Sequence, residues 1–191
     1  DKPGQAEVIR KAFDADYLLA GGRVKVDQSL LDAAPNLRMI QRSGVGLDSI
    51  DLTELKLRGI PLYVNKGVNA QSVAEHTVML MLASLRQLNQ INTATKSGKW
   101  AKHDLGINCH SLYGQQIGLV GLGEIGSKVC EILKGFGVRL VYHKPTRLTL
   151  TEEKRLGVTY VSLDELLKNS RVVSIHCELN NETQSMIDAK Q

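Results

Sequence analysis

Three glycines at fixed spacing, between a short apolar run and an amphipathic segment, constrain the fold of this chain more than any other feature. The run Ile117-Gly-Leu-Val precedes Gly121, Gly123 and Gly126, and Ser-Lys-Val-Cys-Glu-Ile-Leu follows them. The first glycine allows a tight turn, the second lets a pyrophosphate approach the backbone, and the third lets a helix pack closely on the strand. Free N–H groups at the start of that helix attract negative charge. The pattern predicts a dinucleotide-binding βαβ unit.

The rest of the chain indicates the same class of fold. Short apolar runs rich in β-branched residues alternate with helical patterns, which is typical of buried parallel strands in α/β proteins. We therefore predict a Rossmann-like doubly wound parallel sheet over residues 71–191, preceded by a smaller flavodoxin-like α/β domain over residues 1–70. The predicted strands are Tyr17–Ala20, Leu37–Gln41, Pro61–Val64, Ile117–Val120, Val138–Tyr142, Val158–Val161 and Val172–His176.

One long helix is expected where the two predicted domains meet. Ser72, with Glu75 three residues later, has the spacing of a reciprocal helix cap and is expected to open a bridging helix over residues 72–90. Its apolar residues run nearly all round, so it should be buried by its own domains or by a second subunit. Residues 93–114 have few periodic apolar positions and are predicted to be an irregular connection. Ser162 repeats the capping pattern before a shorter helix.

Composition excludes several classes of function. The chain of 191 residues has 24 basic and 20 acidic residues, scattered along it, and 4% aromatics, so it lacks the basic patches of nucleic-acid-binding proteins. Cys109, Cys130 and Cys177 are widely spaced, without the pattern of a metal site, and indicate free thiols in a reducing cytoplasm. The longest apolar stretch, Val78–Leu85, is much shorter than the roughly 20 residues that span a bilayer.

The residues after the second strand of the βαβ unit bear on the choice of cofactor. NAD-binding sequences often have an acidic residue about 20 positions after the glycines, which holds the ribose hydroxyls. This chain has Lys144, Thr146 and Arg147 there, two cations and a hydroxyl suited to a 2′-phosphate, so NADP is favoured over NAD. The alternative is that both cations are solvated and that NAD binds. Glu124 and Ile125 join Gly121, Gly123 and Gly126 as expected cofactor-binding residues.

Five segments follow one another in a distinctive order. They are Arg42-Ser-Gly-Val-Gly-Leu-Asp48-Ser-Ile-Asp51, Asn69-Ala-Gln-Ser-Val-Ala-Glu75-His76-Thr, Gly98-Lys-Trp100, Gly121 to Gly126, and Val172-Val-Ser-Ile-His-Cys. With them the chain resembles the D-isomer-specific 2-hydroxyacid dehydrogenases, which include glyoxylate and hydroxypyruvate reductases and phosphoglycerate dehydrogenase. The resemblance implies a cytoplasmic homodimeric oxidoreductase that transfers a hydride between NAD(P)H and a small 2-keto or 2-hydroxy acid.

The resemblance also implies substrate contacts. Val45 and Gly46 would hold the substrate carboxylate with backbone N–H groups, as expected of a glycine-rich anion site. Asn69 matches a substrate contact of the formate dehydrogenase branch, where its amide could donate to a carboxylate. The alternative is that Gly44 and Gly46 merely turn the chain.

The family's catalytic arginine, glutamate and histidine are expected beyond residue 191, so no catalytic residue can be assigned within this chain. The family's first strand is expected before residue 1, which would leave both domains incomplete. An alternative function on the same scaffold is a regulatory protein of the corepressor type that senses NAD(H). A hydrolase that uses bound NAD to oxidise its substrate transiently is a further possibility.

Overall fold

The computed structural model describes residues 4–189, which form two compact units. One unit comprises the chain up to Asn69 together with Leu179–Gln184, and the other comprises Ala70–Glu178 together with the residues from Ser185 onward. Each unit contains a parallel sheet with flanking helices, which confirms the predicted α/β class. The division after Asn69 lies beside the predicted boundary, and the functional assignment of each part stays a prediction.

The first unit is built around a three-stranded parallel sheet in the order β1-β2-β3. Its core contains the fully buried side chains of Val26, Leu30 and Ile40. The carboxylate of Asp27 accepts a hydrogen bond from the backbone N–H of Leu30 at 3.1 Å and caps α2. The elements are α1 (Gln5–Lys11), β1 (Tyr17–Ala20), α2 (Gln28–Ala33), β2 (Met39–Arg42), α3 (Leu52–Arg58) and β3 (Leu62–Val64).

The second unit contains a four-stranded parallel sheet in the order β6-β5-β4-β7. In chain order within this unit the sequence of strands is 3-2-1-4, the order in which a Rossmann sheet begins. Its elements are α4 (Ala70–Leu85), α5 (Leu88–Lys96), α6 (Lys102–Gly106), β4 (Gln116–Val120), α7 (Glu124–Leu133), β5 (Arg139–His143), α8 (Leu150–Leu156), β6 (Val158–Tyr160), α9 (Leu163–Asn169) and β7 (Val172–Ile175).

The core of the second unit explains why its central strand is so apolar. Helices cover both faces of the sheet, so β4 has no solvent-facing side, and Ile117 and Leu119 are both fully buried. Helix α4 packs one face against the same core through Ala74, Val78 and Met81. All seven predicted strands are present, and their ends differ from the prediction by at most two residues.

The predicted long helix over residues 72–90 is wrong at both ends. Helix α4 begins at Ala70, so Ser72 lies inside it and cannot be its cap. The helix ends at Leu85, and Gln87 adopts the left-handed conformation (φ 49°) that separates α4 from α5. The carbonyl oxygen of Leu85 accepts a hydrogen bond from the backbone N–H of His110 at 2.8 Å. This contact comes from residues distant in sequence, which is why local patterning missed the break.

Two further expectations have mixed outcomes. The segment 93–114 is not wholly irregular, because α5 continues to Lys96 and α6 lies within it. Helix α4 is not buried all round: Met79 and Leu80 on its outer face are about half exposed, so its burial by a second subunit stays a prediction. The predicted cap at Ser162 is confirmed, since its hydroxyl accepts from the backbone N–H of Glu165 at 3.2 Å. Across the described part of the chain, each helix is too short or too polar to cross a membrane.

Candidate functional site

Gly121 and Gly126 are required by the packing of the second unit itself. Gly121 follows β4 directly and has φ +89°, a conformation that L side chains rarely adopt. A Cβ there would lie 2.6 Å from the backbone nitrogen of Cys177, just beyond β7. A Cβ on Gly126 would lie 2.9 Å from the carbonyl oxygen of Gly121. Both glycines are therefore explained by the close contact between strand, loop and helix.

Gly123 is different, because no atom of residues 4–189 lies within 4 Å of the position its Cβ would occupy. It is the N-cap of the ten-residue helix α7, and no side chain caps that helix. Among residues 4–189, no acceptor pairs with the backbone N–H groups of Gly123, Glu124 or Ile125. Open space over free N–H groups fits the pyrophosphate of a dinucleotide, which would need that space and those donors.

A cavity of about 440 Å³ adjoins this helix start. Lys144, half-buried in the segment after β5, lines the same cavity as Gly123 and Glu124. Within the described chain Lys144 makes no ion pair, whereas Glu152 is engaged by the backbone and hydroxyl of Thr149. The complete lining is Leu122, Gly123, Glu124, Ser127, Lys128, Glu131, Lys144, Leu148, Glu152, Arg155 and Leu156.

Arg147 has partners that sequence reasoning did not foresee. Its Nε and Nη2 atoms donate to the two carboxylate oxygens of Glu153 at 2.8 and 2.9 Å, and its guanidinium lies 5.5 Å from the ring centroid of Tyr160. The hydroxyl of Tyr142 donates to the same carboxylate at 2.8 Å. The hydrogen bonds from Arg147, and to a smaller extent the one from Tyr142, lower the pKa of Glu153. Arg147 therefore fixes the segment after β5, while Thr146 is exposed; their predicted contacts with a cofactor stay predictions.

The end of β7 lies beside the end of β4. The backbone N–H of His176 donates to the carbonyl oxygen of Val120 at 2.7 Å, and its Nε2 lies 2.9 Å from the hydroxyl of Ser174. Burial lowers the pKa of His176, which keeps the ring neutral at physiological pH. The carboxyl ends of these strands form the edge where ligands bind in open α/β sheets. His176 is thus a neutral wall residue of that edge, and Ser174 is a partner that the sequence did not reveal.

In the first unit, the turn after β2 leaves several donors without partners. No acceptor in the range 4–189 pairs with the backbone N–H groups of Gly44, Val45 or Gly46. Neither glycine has a positive φ, and a Cβ on Gly44 would meet no atom of the described residues within 4 Å. A requirement for tight turning therefore does not account for Gly44. Asn69, the third predicted substrate contact, lies exposed in the turn before α4.

Arg42, which precedes this turn, was missed as a possible functional residue. It is the last residue of β2 and only 5% exposed. Its Nε donates to the carbonyl oxygen of Gly46 at 2.9 Å, and its Nη1 donates to the carbonyl oxygen of Gly21. Arg42 directly follows the predicted strand Leu37–Gln41 and is the first residue of the segment 42–51 quoted above, and this position is the sequence signal that could have indicated it.

Comparison with known proteins agrees with this geometry. The family profile described as "D-isomer specific 2-hydroxyacid dehydrogenase, NAD binding domain" matches residues 78–191. A glyoxylate reductase of Korarchaeum cryptofilum is 35% identical over 191 residues, which cover 99% of this chain and 57% of the relative. The chain thus spans little more than half the length of the curated relatives it matches.

Two solved structures are similar in both sequence and fold. A formate dehydrogenase from Granulicella is 30% identical with a TM-score of 0.92, covering 100% of this chain and 52% of that one. A D-lactate dehydrogenase from Aquifex aeolicus, complexed with NAD and lactic acid, is 31% identical with a TM-score of 0.86, covering 95% of this chain and 54% of that one.

Proposed function

Because this chain belongs to the D-isomer specific 2-hydroxyacid dehydrogenase family and carries its NAD-binding domain, we propose that the protein containing it is an oxidoreductase. It transfers a hydride between NAD(P)H and a small 2-keto or 2-hydroxy acid. The observation that carries this proposal is the open space at Gly123 above the uncapped start of α7. The names of the similar proteins, a glyoxylate reductase and a D-lactate dehydrogenase among them, support the class of substrate.

The chain's own residues would bind and orient the reactants. The free N–H groups of Gly123, Glu124 and Ile125 would hold the pyrophosphate, and those of Val45 and Gly46 would hold the carboxylate of the acid. The bound nicotinamide supplies or accepts the hydride. Neither group of donors is charged, so binding depends on their fixed direction towards the anion.

The reaction is tested by following reduced-nicotinamide absorbance with the purified intact protein that contains this chain and a panel of glyoxylate, hydroxypyruvate, pyruvate and larger 2-keto acids. We expect turnover of at least one of the small acids to the D-hydroxy product, or of glyoxylate to glycolate. Dinucleotide binding without turnover of any panel member would reject the dehydrogenase proposal. That outcome would favour the alternative, a regulatory protein of the corepressor type that senses NAD(H).

We further propose that NADP is preferred to NAD, with Lys144 as the main cation for the 2′-phosphate. Lys144 is supported by its place on the cavity wall beside Gly123, whereas Arg147 is already paired with Glu153. Lys144→Ala should weaken NADPH binding about tenfold and leave NADH binding unchanged, since a charge-assisted bond to phosphate is lost. Arg155→Ala removes a cation from the same cavity wall, so it is the matched control and should change NADPH binding less than Lys144→Ala does. A tenfold preference of the unaltered protein for NADH would reject this part of the proposal.

A homodimer formed through the second unit is also part of the proposal. Trp100 and Ile107 are 85% and 82% exposed and line a cleft of about 760 Å³. An exposed apolar surface of this kind commonly marks a protein interface. Sedimentation should give a dimer for the unaltered protein and a monomer for Trp100→Glu. Tyr113 is also highly exposed but lies outside the cleft, so Tyr113→Glu is the control and should remain a dimer. A monomeric unaltered protein would contradict the proposal.

The three cysteines support a cytoplasmic location, which we also propose. Cys109, Cys130 and Cys177 are all free, as expected in a reducing compartment. Burial raises the pKa of Cys130 to about 12, so this thiol is inert, while the other two are partly exposed. Fractionation of the source cells should place the protein with cytoplasmic markers, and recovery outside that fraction would contradict the location.

A further inference from the structure

Arg42 places a positive charge inside the first unit. Its side chain is almost fully buried at the end of β2. None of the carboxylates in residues 4–189 forms an ion pair with it, although charged residues that are fully buried in proteins almost always have a partner. A buried, uncompensated charge is costly, and proteins usually balance it with an opposite charge or use it to bind one.

The guanidinium connects two loops at the same edge of the sheet. Its Nε donates to the carbonyl oxygen of Gly46, and its Nη1 donates to the carbonyl oxygen of Gly21, which follows β1. Strands β1 and β2 are parallel neighbours, with Ala20 opposite Arg42, so both loops leave the sheet at its carboxyl edge. The planar fork of an arginine fixes the relative position of two acceptors in a way that a single ammonium group cannot.

The turn that Arg42 holds is the one with free donors. With the carbonyl of Gly46 bound to the guanidinium, the N–H groups of Gly44, Val45 and Gly46 have no acceptor in the described chain. Three consecutive partly buried donors and an adjacent buried cation attract the same kind of ligand, a small anion. The carboxyl edge of a parallel sheet is also where ligands bind in this class of fold.

We propose that Arg42 is the positioning residue of a carboxylate-binding site formed by the Gly44–Gly46 turn, and that the bound carboxylate supplies its missing counter-charge. The proposal rests on the proposed function, which provides a 2-keto or 2-hydroxy acid as the ligand. Arg42 acts through the turn: it fixes the direction of the N–H groups and adds a positive potential at the site. Its role is distinct from that of the donors themselves.

The test uses the ¹⁵N-labelled full chain titrated with oxalate, a dicarboxylate that resembles a 2-keto acid and cannot be reduced. We expect saturable shifts of the amide signals of Gly44, Val45 and Gly46. Arg42→Met, which loses both charge and fork, should raise the dissociation constant of oxalate about tenfold. Arg42→Lys, which keeps the charge but loses the fork, should raise it about threefold. Arg38→Met removes the same charge from an exposed position nearby and should change nothing.

A purely structural role is separated from a positioning role by the folding of the first unit and by kinetics. Amide signals of Val26, Leu30 and Ile40, in the core of the first unit, report whether each variant is folded, and Arg42→Lys carries the test if Arg42→Met unfolds. In the active protein the loss should appear in the KM for the acid, with cofactor affinity unchanged. If Arg42 were merely structural, its substitution would lower stability and leave the KM of the folded protein unchanged. A positioning role instead predicts a raised KM for Arg42→Met that Arg42→Lys partly restores.

The outcomes distinguish this inference from the proposed function. The role of Arg42 is overturned, even when keto acids are turned over, if the unaltered chain shows no oxalate shifts. It is also overturned if both folded Arg42 variants bind oxalate as tightly as the unaltered chain does. Oxalate binding that depends on Arg42, in a protein that turns over no keto acid, supports the inference and rejects the dehydrogenase proposal.

Discussion

The two glycine-containing turns of this molecule differ in what requires their glycines. In the second unit, Gly121 combines a positive φ with a Cβ position 2.6 Å from the backbone, so the protein's own atoms exclude every other residue. In the first unit, Gly44 has no positive φ and open space around it. The packing of the fold requires glycine at position 121, whereas neither packing nor backbone conformation explains the glycine at position 44. A ligand that approaches the main chain closely is such an explanation.

Gly123 shows that both kinds of glycine occur within a single motif. Its neighbours Gly121 and Gly126 are required by packing, while Gly123 resembles Gly44 in having open space where a side chain would be. The comparison therefore separates glycines that maintain the fold from glycines that leave room for a ligand. Alanine substitutions distinguish the two kinds, because the first should lower stability and the second should lower affinity.

The largest effect is expected at Gly121. Gly121→Ala should lower the free energy of unfolding of the second unit by about 3 kcal/mol or more, since backbone strain and a steric clash add together. Gly157→Ala is the control, because Gly157 also has a positive φ (+72°) but open space, and strain alone should cost it about 1 kcal/mol. Urea unfolding followed by circular dichroism measures both. Equal losses would show that the contact with Cys177 does not constrain this glycine.

Gly123→Ala should affect affinity more than stability. A methyl group over the start of α7 would occupy the space left for pyrophosphate, so the dissociation constant of the reduced dinucleotide should rise about tenfold or more. The free energy of unfolding should change by less than about 1 kcal/mol, the usual scale for a change of N-cap residue. Fluorescence titration with NADH and NADPH gives the affinity. An unchanged affinity would show that the open space serves no cofactor.

Ser162→Ala sets the scale for an ordinary local interaction in the same unit. The hydroxyl of Ser162 caps α9, and its loss should cost about 1 kcal/mol of stability. Cofactor affinity should stay constant, because α9 begins after β6 and Ser162 is outside the cavity beside Gly123. Parallel unfolding and NADPH titrations check both expectations. A clear drop in affinity would mean that general destabilisation alone weakens binding, and Gly123→Ala would then need a stability correction.

Gly44→Ala should have the smallest effect on stability, less than about 0.5 kcal/mol, as is usual for a substitution in open space. Its effect should appear as a severalfold rise in KM for the acid. Gly59→Ala, in the same unit with a positive φ of 66° and open space, should show the reverse pattern of some destabilisation and an unchanged KM. A stability loss at Gly44 as large as that at Gly121 would abolish the distinction between the two turns.

The predictability of this fold follows from the range of the interactions involved. Buried parallel strands appear as local apolar runs, so β4 and its neighbours were located from sequence within two residues. The end of α4 was not, because the partner of Leu85 is His110, distant along the chain. Helix α5 was missed beyond its first turn because polar residues dominate it and only Leu88 and Ile91 follow a helical spacing.

The candidate site was predictable to a similar extent. The positions of Gly121 to Gly126 followed from a motif in which each glycine has a known physical reason. The environment of the side chains did not follow, because it depends on pairing in space. Arg147 was expected to contact a phosphate, which stays a prediction, and its pairing with Glu153 was not foreseen. Arg42 was named only as the first residue of a family segment, and in the structure it is a buried cation between two loops.

The anchoring of the segment after β5 has a consequence for redesign. The ion pair between Arg147 and Glu153 fixes that segment. Tyr142 fixes it as well, because its hydroxyl accepts a hydrogen bond from the backbone N–H of Leu148 at 2.9 Å. None of these bonds involves Lys144 or Thr146. The two positions can therefore be exchanged for acidic or small residues without loosening their support. On the proposal that Lys144 selects the coenzyme, one or two substitutions at positions outside this hydrogen-bonded frame would change that choice.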